Sequence, residues 1–220
     1  MNNSREAAIA PSARRQATRE RLLSAAAEVF AEEGLQGASV EAICSRAGFT
    51  RGAFYSNFAT KEELFLSLLE REFARRATDL ETKTAALSPT LRSHDRPIDP
   101  ALAAQYITEF LAPAGDTADW YVLETEFALH AMRDPSSAPG YSDLLARSTA
   151  GMAALVDAAI GAAGRRFVLS PEHAVSILTG EYERALRATV IGGPSAPGGL
   201  QDLPGLISDL LFAITEPITD

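Results

Sequence analysis

Near the amino end, Ala47-Gly48-Phe49-Thr50 joins two short apolar-patterned segments, and Arg51, Gly52, Tyr55, Ser56 and Asn57 follow directly. A helix-turn-helix needs a tight turn that only a small residue permits, then a short helix whose exposed face is small, polar or cationic. Gly48 meets the first need. Arg51, Gly52, Tyr55, Ser56 and Asn57 meet the second, while Phe54 and Phe58 anchor the opposite face. This is hydrogen-bonding chemistry suited to nucleic acid. Residues suited to making and breaking bonds are scattered: His94, His130 and His173 lie far apart, and no HExxH, CxxC or glycine-rich phosphate loop occurs. Glu124 and Glu126, two residues apart, point to different faces of a helix. An enzyme is not expected, nor a cofactor or a metal site.

Helices must position the turn. Leu22, Ala26, Val29 and Phe30 share one face of a first helix that Gly34 ends. Ser39 caps a second through Val40, Ile43 and Ala47, stopped by Gly48, and Thr50 caps a third burying Ala53, Phe54 and Phe58. Thr60-Lys61-Glu62-Glu63 is a capping box opening a fourth helix through Leu64, Phe65, Leu68, Leu69 and Phe73 to about Leu87. At about 1.5 Å per residue it is roughly 40 Å long, enough to pass from a head into a body. Residues 88–99 read as a loop, and Asp99-Pro100 opens a fifth helix. Further helices are expected over 116–133, 140–162, 171–191 and a closing segment through Leu203, Leu206, Ile207, Leu210, Leu211 and Ile214, with GGPSAPGG at 192–199 as a connector. The fold class is all-α with about nine helices, and no strand is expected. Residues 1–16 read as a flexible basic arm, 17–63 as the helix-turn-helix domain and 64–220 as a helical body.

The run from Arg21 to Leu68, RLLSAAAEVFAEEGLQGASVEAICSRAGFTRGAFYSNFATKEELFLSL, resembles the amino-terminal domain of TetR-type (tetracycline-repressor) transcriptional regulators without gaps. The resemblance implies a third helix in the major groove of double-stranded operator DNA, with Arg51 and Gly52 at base edges, the arginine by hydrogen bonds and the glycine by close approach. It implies phosphate contacts from Ser39, Thr50 and Tyr55, contacts to phosphates or bases from Ser56 and Asn57, and a phosphate grip by Lys61. Ser39, Thr50 and Thr60 would be caps even without DNA, Tyr55 could be core, and Lys61 could be an ordinary solvated residue. Cys44, Ser45 and Phe54 depart from the usual family residues.

A net charge of −9 looks wrong for a partner of phosphate, but its distribution does not. Residues 1–61 carry eight basic and six acidic side chains, the remainder twelve basic and twenty-three acidic. An acidic body joined to a mildly basic head presents only the head to a duplex. The apolar share of 46% is that of an ordinary globular protein. No run of about 20 uninterrupted apolar residues and no signal-peptide core is visible, so no membrane is expected and the protein should stay in the cytoplasm. The single cysteine, Cys44, reads as a small buried hydrophobe.

Beyond Glu70 the resemblance weakens, although WYVLETEFALHAMRDP at 120–135 looks like the sixth helix of an actinobacterial-type subgroup. It implies an unidentified small-molecule effector, with Tyr106, Phe110, Trp120, Phe127 and Met132 as candidate pocket walls and His130 as a polar reader. It also implies a homodimer through the last two helices, with Val175, Leu178, Tyr182, Leu186, Leu206, Leu210 and Ile214 as the seam. The bland reading of the pocket and seam residues is intramolecular core, and that of His130 is a satisfied structural histidine. The function expected is a ligand-responsive repressor released from its operator, against the alternatives of a ligand-independent adaptor with the same head or an effector-modifying enzyme.

Overall fold

The computed structural model describes residues 11–92, 99–111 and 117–218. Among them are nine helices: α1 Pro11–Gly37, α2 Val40–Ala47, α3 Arg51–Tyr55, α4 Lys61–Arg92, α5 Pro100–Phe110, α6 Thr117–Arg133, α7 Ala138–Ala162, α8 Pro171–Gly192 and α9 Leu203–Ile214. Two strands correct the expectation of none: β1 Arg165–Phe167 pairs antiparallel with β2 Thr215–Pro217. Three residues are too few to leave a readable alternation in sequence.

The caps lie where side-chain chemistry puts them. Ser39, Thr50, Asp99 and Ser170 accept the N–H groups of Ala42, Ala53, Leu102 and His173. Thr60 accepts from Glu63, whose carboxylate takes the Ala59 N–H at 2.6 Å, closing the capping box one residue earlier than the pattern suggests. Two boundaries differ. Residues 11–16, read as arm, are the first turns of α1, and residues 1–10 lie outside the described residues. α4 continues through Pro89 to Arg92, so 88–92 are helix, while 93–98, with His94, lie outside the described residues.

The chain forms two compact units. The first comprises the described residues up to Glu72 with Val122–Tyr141, and the second Phe73–Tyr121 with Ser142 onward. α4 and α6 supply residues to both. In the first unit Leu22, Phe30, Ile43, Phe54, Phe58, Leu64, Phe65 and Phe127 are fully buried. Phe65 stands edge-on to Phe30 at 5.1 Å and stacks on Phe127 at 4.8 Å, tying α1, α4 and α6 together. In the second unit α5 lies against α9 around Ile107, Ala185, Leu203 and Ile207, and the Ser208 hydroxyl donates to the Pro100 carbonyl at 2.7 Å. Arg166 and Glu216 bridge the strand pair at 2.6 Å.

Candidate nucleic-acid interface

The α2–α3 turn depends on Gly48, whose φ of 70° is the left-handed conformation that a side chain resists. It lets the Phe49 N–H return to the Cys44 carbonyl at 2.9 Å and so close α2. Three arginines of α1 then hold the carboxyl ends of both short helices. Arg21 donates to the Ala47 carbonyl at 2.9 Å and lies over the Phe49 ring. Arg19 donates to the Asn57 carbonyl at 3.0 Å and the Ser67 hydroxyl at 2.7 Å, over the Phe58 ring, and Arg15 donates to the Ser56 carbonyl at 3.2 Å. Carbonyls that a helix end leaves unpaired, and its negative dipole end, favour such cations. Much of the positive charge read as electrostatic footprint therefore secures the fold of the head.

What remains outward is Ser39, Thr50, Arg51, Gly52, Tyr55 and Ser56, all exposed. Arg51 Nη1 pairs with Glu41 at 2.5 Å, and its Nη2 lies 3.5 Å from the Tyr55 hydroxyl. Hydrogen bonding to Tyr55 and then the charge of Glu41 hold the guanidinium above its ordinary range, so it is a permanent cation. A Cβ on Gly52 would meet only Thr50 Oγ1, at 3.7 Å, leaving the start of α3 open to close approach. The Ser56 hydroxyl donates to the Ala53 carbonyl at 2.9 Å and accepts from the Asn57 amide at 3.3 Å, which leaves one lone pair for another donor.

Two members of the expected contact set stand differently. Asn57 is buried, and its amide donates to the Ala53 carbonyl at 2.8 Å; it closes the end of α3 from inside instead of facing outward. Lys61 is half-buried, with Nζ donating to the Leu35 and Ala38 carbonyls at 2.8 and 2.9 Å. Two of its three donors are spent on the α1–α2 connection, so a phosphate could take only the third.

Sequence reasoning gave no role to Glu41, nor to Glu126 of α6. The Glu126 carboxylate accepts the Leu35 N–H at 2.6 Å, just after Gly34 turns α1 with φ 71°, and a Cβ on Gly34 would come within 3.2 Å of it. Ninety-one residues separate the partners, so no local spacing announces the contact. Cys44 is buried, and that burial pushes its thiol up, away from a reactive thiolate.

The sequence pattern of the bacterial regulatory proteins of the tetR family matches residues 22–68, the stretch holding the turn, α3 and the start of α4. The HTH-type transcriptional regulator YdgC of Bacillus subtilis is 36% identical over 94 residues, which are 43% of this chain and 47% of YdgC. The HTH-type transcriptional repressor AcnR of Corynebacterium efficiens is 40% identical over 60 residues, 27% of this chain and 32% of AcnR. The matched stretch thus spans under half the length of each relative. A TetR transcription regulator from Haloarcula marismortui has the same fold over 91% of this chain and 100% of its own, with TM-score 0.65 and 16% identity. Residues 22–68 thus carry the tetR-family pattern, within a chain that has the fold of that regulator.

The residues expected to line an effector site fall in both units. Tyr106 and Trp120 belong to the second unit, half-buried and buried. Phe127 is core of the first unit, packed between Phe65 and Tyr141. Met132 is 80% exposed, so it walls no pocket within its own unit. The Phe110 side chain lies outside what is described. His130 Nε2 lies 3.7 Å from Asp134 and 3.4 Å from the Ser137 hydroxyl, but a catalytic triad needs the acid and the nucleophile on opposite ring nitrogens. The Ser137 hydroxyl donates to Asp134 itself at 3.0 Å, making a turn that closes α6. Among the described residues no group of three acids, histidines or cysteines is placed to hold a metal.

The residues expected at the dimer seam are covered in part by the chain itself. Val175 and Leu186 are buried, Leu178, Tyr182 and Leu210 pack on the cluster around Ile107 and Leu203, and Leu206 and Ile214 are half-buried. The reason is α5, which takes the apolar stripe of α9. Apolar residues left outward lie elsewhere, on α7 (Leu145) and α8 (Ile177, Val190, Ile191). By length and composition α7 is apolar enough to cross a membrane, and only 11% of its most apolar window is buried within the chain.

Proposed function

We propose that this chain is a DNA-binding transcriptional regulator that works in the cytoplasm as a homodimer on double-stranded operator DNA and is released by a small molecule. Residues 17–63 act as the reading domain and 64–220 as the effector-binding and dimerisation domain. The observation that carries the reading is the outward face of α3 and its cap, Thr50, Arg51, Gly52, Tyr55 and Ser56, held by a glycine turn and three α1 arginines within the stretch matching the tetR family. Arg51 has the planar fork that suits a guanine edge, and Thr50 and Tyr55 have hydroxyls for flanking phosphates. Repression is the sign favoured, since AcnR is a repressor.

The homodimer rests on α7 and α8. Ala150, Gly151, Ala154, Ala158 and Gly161 recur on one face of α7, with Ile177, Gly180, Arg184, Arg187 and Ile191 on one face of α8. A Cβ at Gly151, Gly161 or Gly180 would meet nothing within 4 Å. A glycine inside a helix costs roughly 0.5–1 kcal/mol against alanine, and nothing among the described residues packs against these three. Close approach by a second copy accounts for them, and it covers the exposed isoleucines with their counterparts in a two-fold seam. A genomic footprint of the purified protein, repeated with candidate metabolites, tests the whole reading. Protection of paired half-sites about 34–36 Å apart, lost with one metabolite, is expected. Unselective coverage of DNA would reject the regulator, and a footprint indifferent to every metabolite would favour an adaptor.

A further inference from the structure

We propose that Glu41 is a specificity-determining residue of the head, one that penalises backbone contacts by Arg51 and reserves its guanidinium for a base edge. The inference rests on the DNA-binding reading above and names how that site discriminates.

Glu41 stands in the first turn of α2, and its carboxylate meets Arg51 at the first position of α3 across the turn. With the Tyr55 hydroxyl on the other terminal nitrogen, both ends of the guanidinium fork are engaged in the isolated protein. Stability does not explain the arrangement. The two side chains are 57% and 61% exposed, and a pair so solvated contributes little to stability.

On DNA the pair acts asymmetrically. A phosphate carries full negative charge, so an arginine bound to a carboxylate offers it little net attraction, and the carboxylate is itself repelled. The release of a counterion that drives unselective binding is correspondingly lost. A guanine edge presents two uncharged acceptors, N7 and O6, which arginine can grip while the carboxylate stays nearby at small cost. The same carboxylate can accept from the exocyclic amine of a neighbouring cytosine. Glu41 thus weakens binding everywhere but least at the proper site, which is how a repulsive element creates specificity.

The test measures affinities of the full chain on its footprinted operator and on a scrambled duplex of equal length, at several salt concentrations. Glu41→Gln should tighten binding to scrambled DNA several-fold and steepen its salt dependence by about one unit per head, with a smaller gain on operator. The operator-to-scrambled ratio therefore falls. Glu216→Gln, which removes the same charge from β2, should leave the ratio unchanged. In an Arg51→Ala background the Glu41→Gln gain on scrambled DNA should shrink, because the pair acts as a unit. A wild-type chain that selects its operator, with a ratio unmoved or raised by Glu41→Gln, overturns the inference alone. A wild-type chain with no operator preference overturns the DNA-reading itself. An equal effect from Glu216→Gln reduces the result to net charge and also overturns the inference.

Discussion

The two units differ in how much apolar surface one chain can hide. Of the twelve largest fully buried side chains among the described residues, eleven belong to the first unit, and Leu203 is the exception. The second unit exposes Leu145, Val168, Leu169, Ile177, Val190, Ile191 and Ile218, whereas the first exposes Tyr55 and, on α6, Val122, Leu129 and Met132. The head is complete within one chain, with a phenylalanine stack at its centre and arginines on its helix ends. On the proposed reading the body is one half of a dimer whose seam is the exposed α7–α8 surface. A DNA reader needs such a division, since a recognition helix must be rigid before it meets a base and a dimer sets the spacing between two of them.

The largest effect should come from Leu203, the one large side chain of the second unit that is fully buried among the described residues. Leu203→Ala should cost about 2–5 kcal/mol, read by thermal or denaturant unfolding, since it opens a cavity where α9 meets α5. A loss below 1 kcal/mol would mean that this core is loosely packed. Next, Ile191→Asp on the exposed face of α8 should weaken self-association by about 2 kcal/mol or more while leaving helix content intact. Unchanged sedimentation would move the seam away from α8. Glu126→Ala should destabilise the head by about 1–3 kcal/mol, because the Leu35 N–H loses a charged acceptor in a buried turn. Lys61→Ala should be smallest, about 1 kcal/mol, from two lost donations to carbonyls. Its salt slope in DNA binding should change by less than one unit; a full unit would return Lys61 to the phosphate contacts.

Local chemistry made the head legible. Ser39, Thr50, Thr60, Gly48 and the phenylalanine spacing each act within four residues, so caps, turn and buried face can be read one after another. Asn57 was read as outward because its type suits DNA, whereas its amide is drawn to the end of its own helix. Lys61 was read as a grip because a helix start attracts anions, whereas carbonyls 26 and 23 residues earlier reach it first. The body resisted for a related reason. An apolar stripe such as that of α9 states that something covers it, and only tertiary structure tells α5 from a second copy. β1 and β2, three residues each and about fifty apart, carry no local signature.

The central claim is that α3 reads bases through Arg51, and affinities on operator and scrambled duplexes for wild type and Arg51→Ala test it most directly. Loss of a guanine contact should cost about 1–3 kcal/mol on operator and much less on the scrambled duplex, so that discrimination collapses while unselective binding survives. Equal losses on both duplexes would show that Arg51 grips the backbone and would contradict the account.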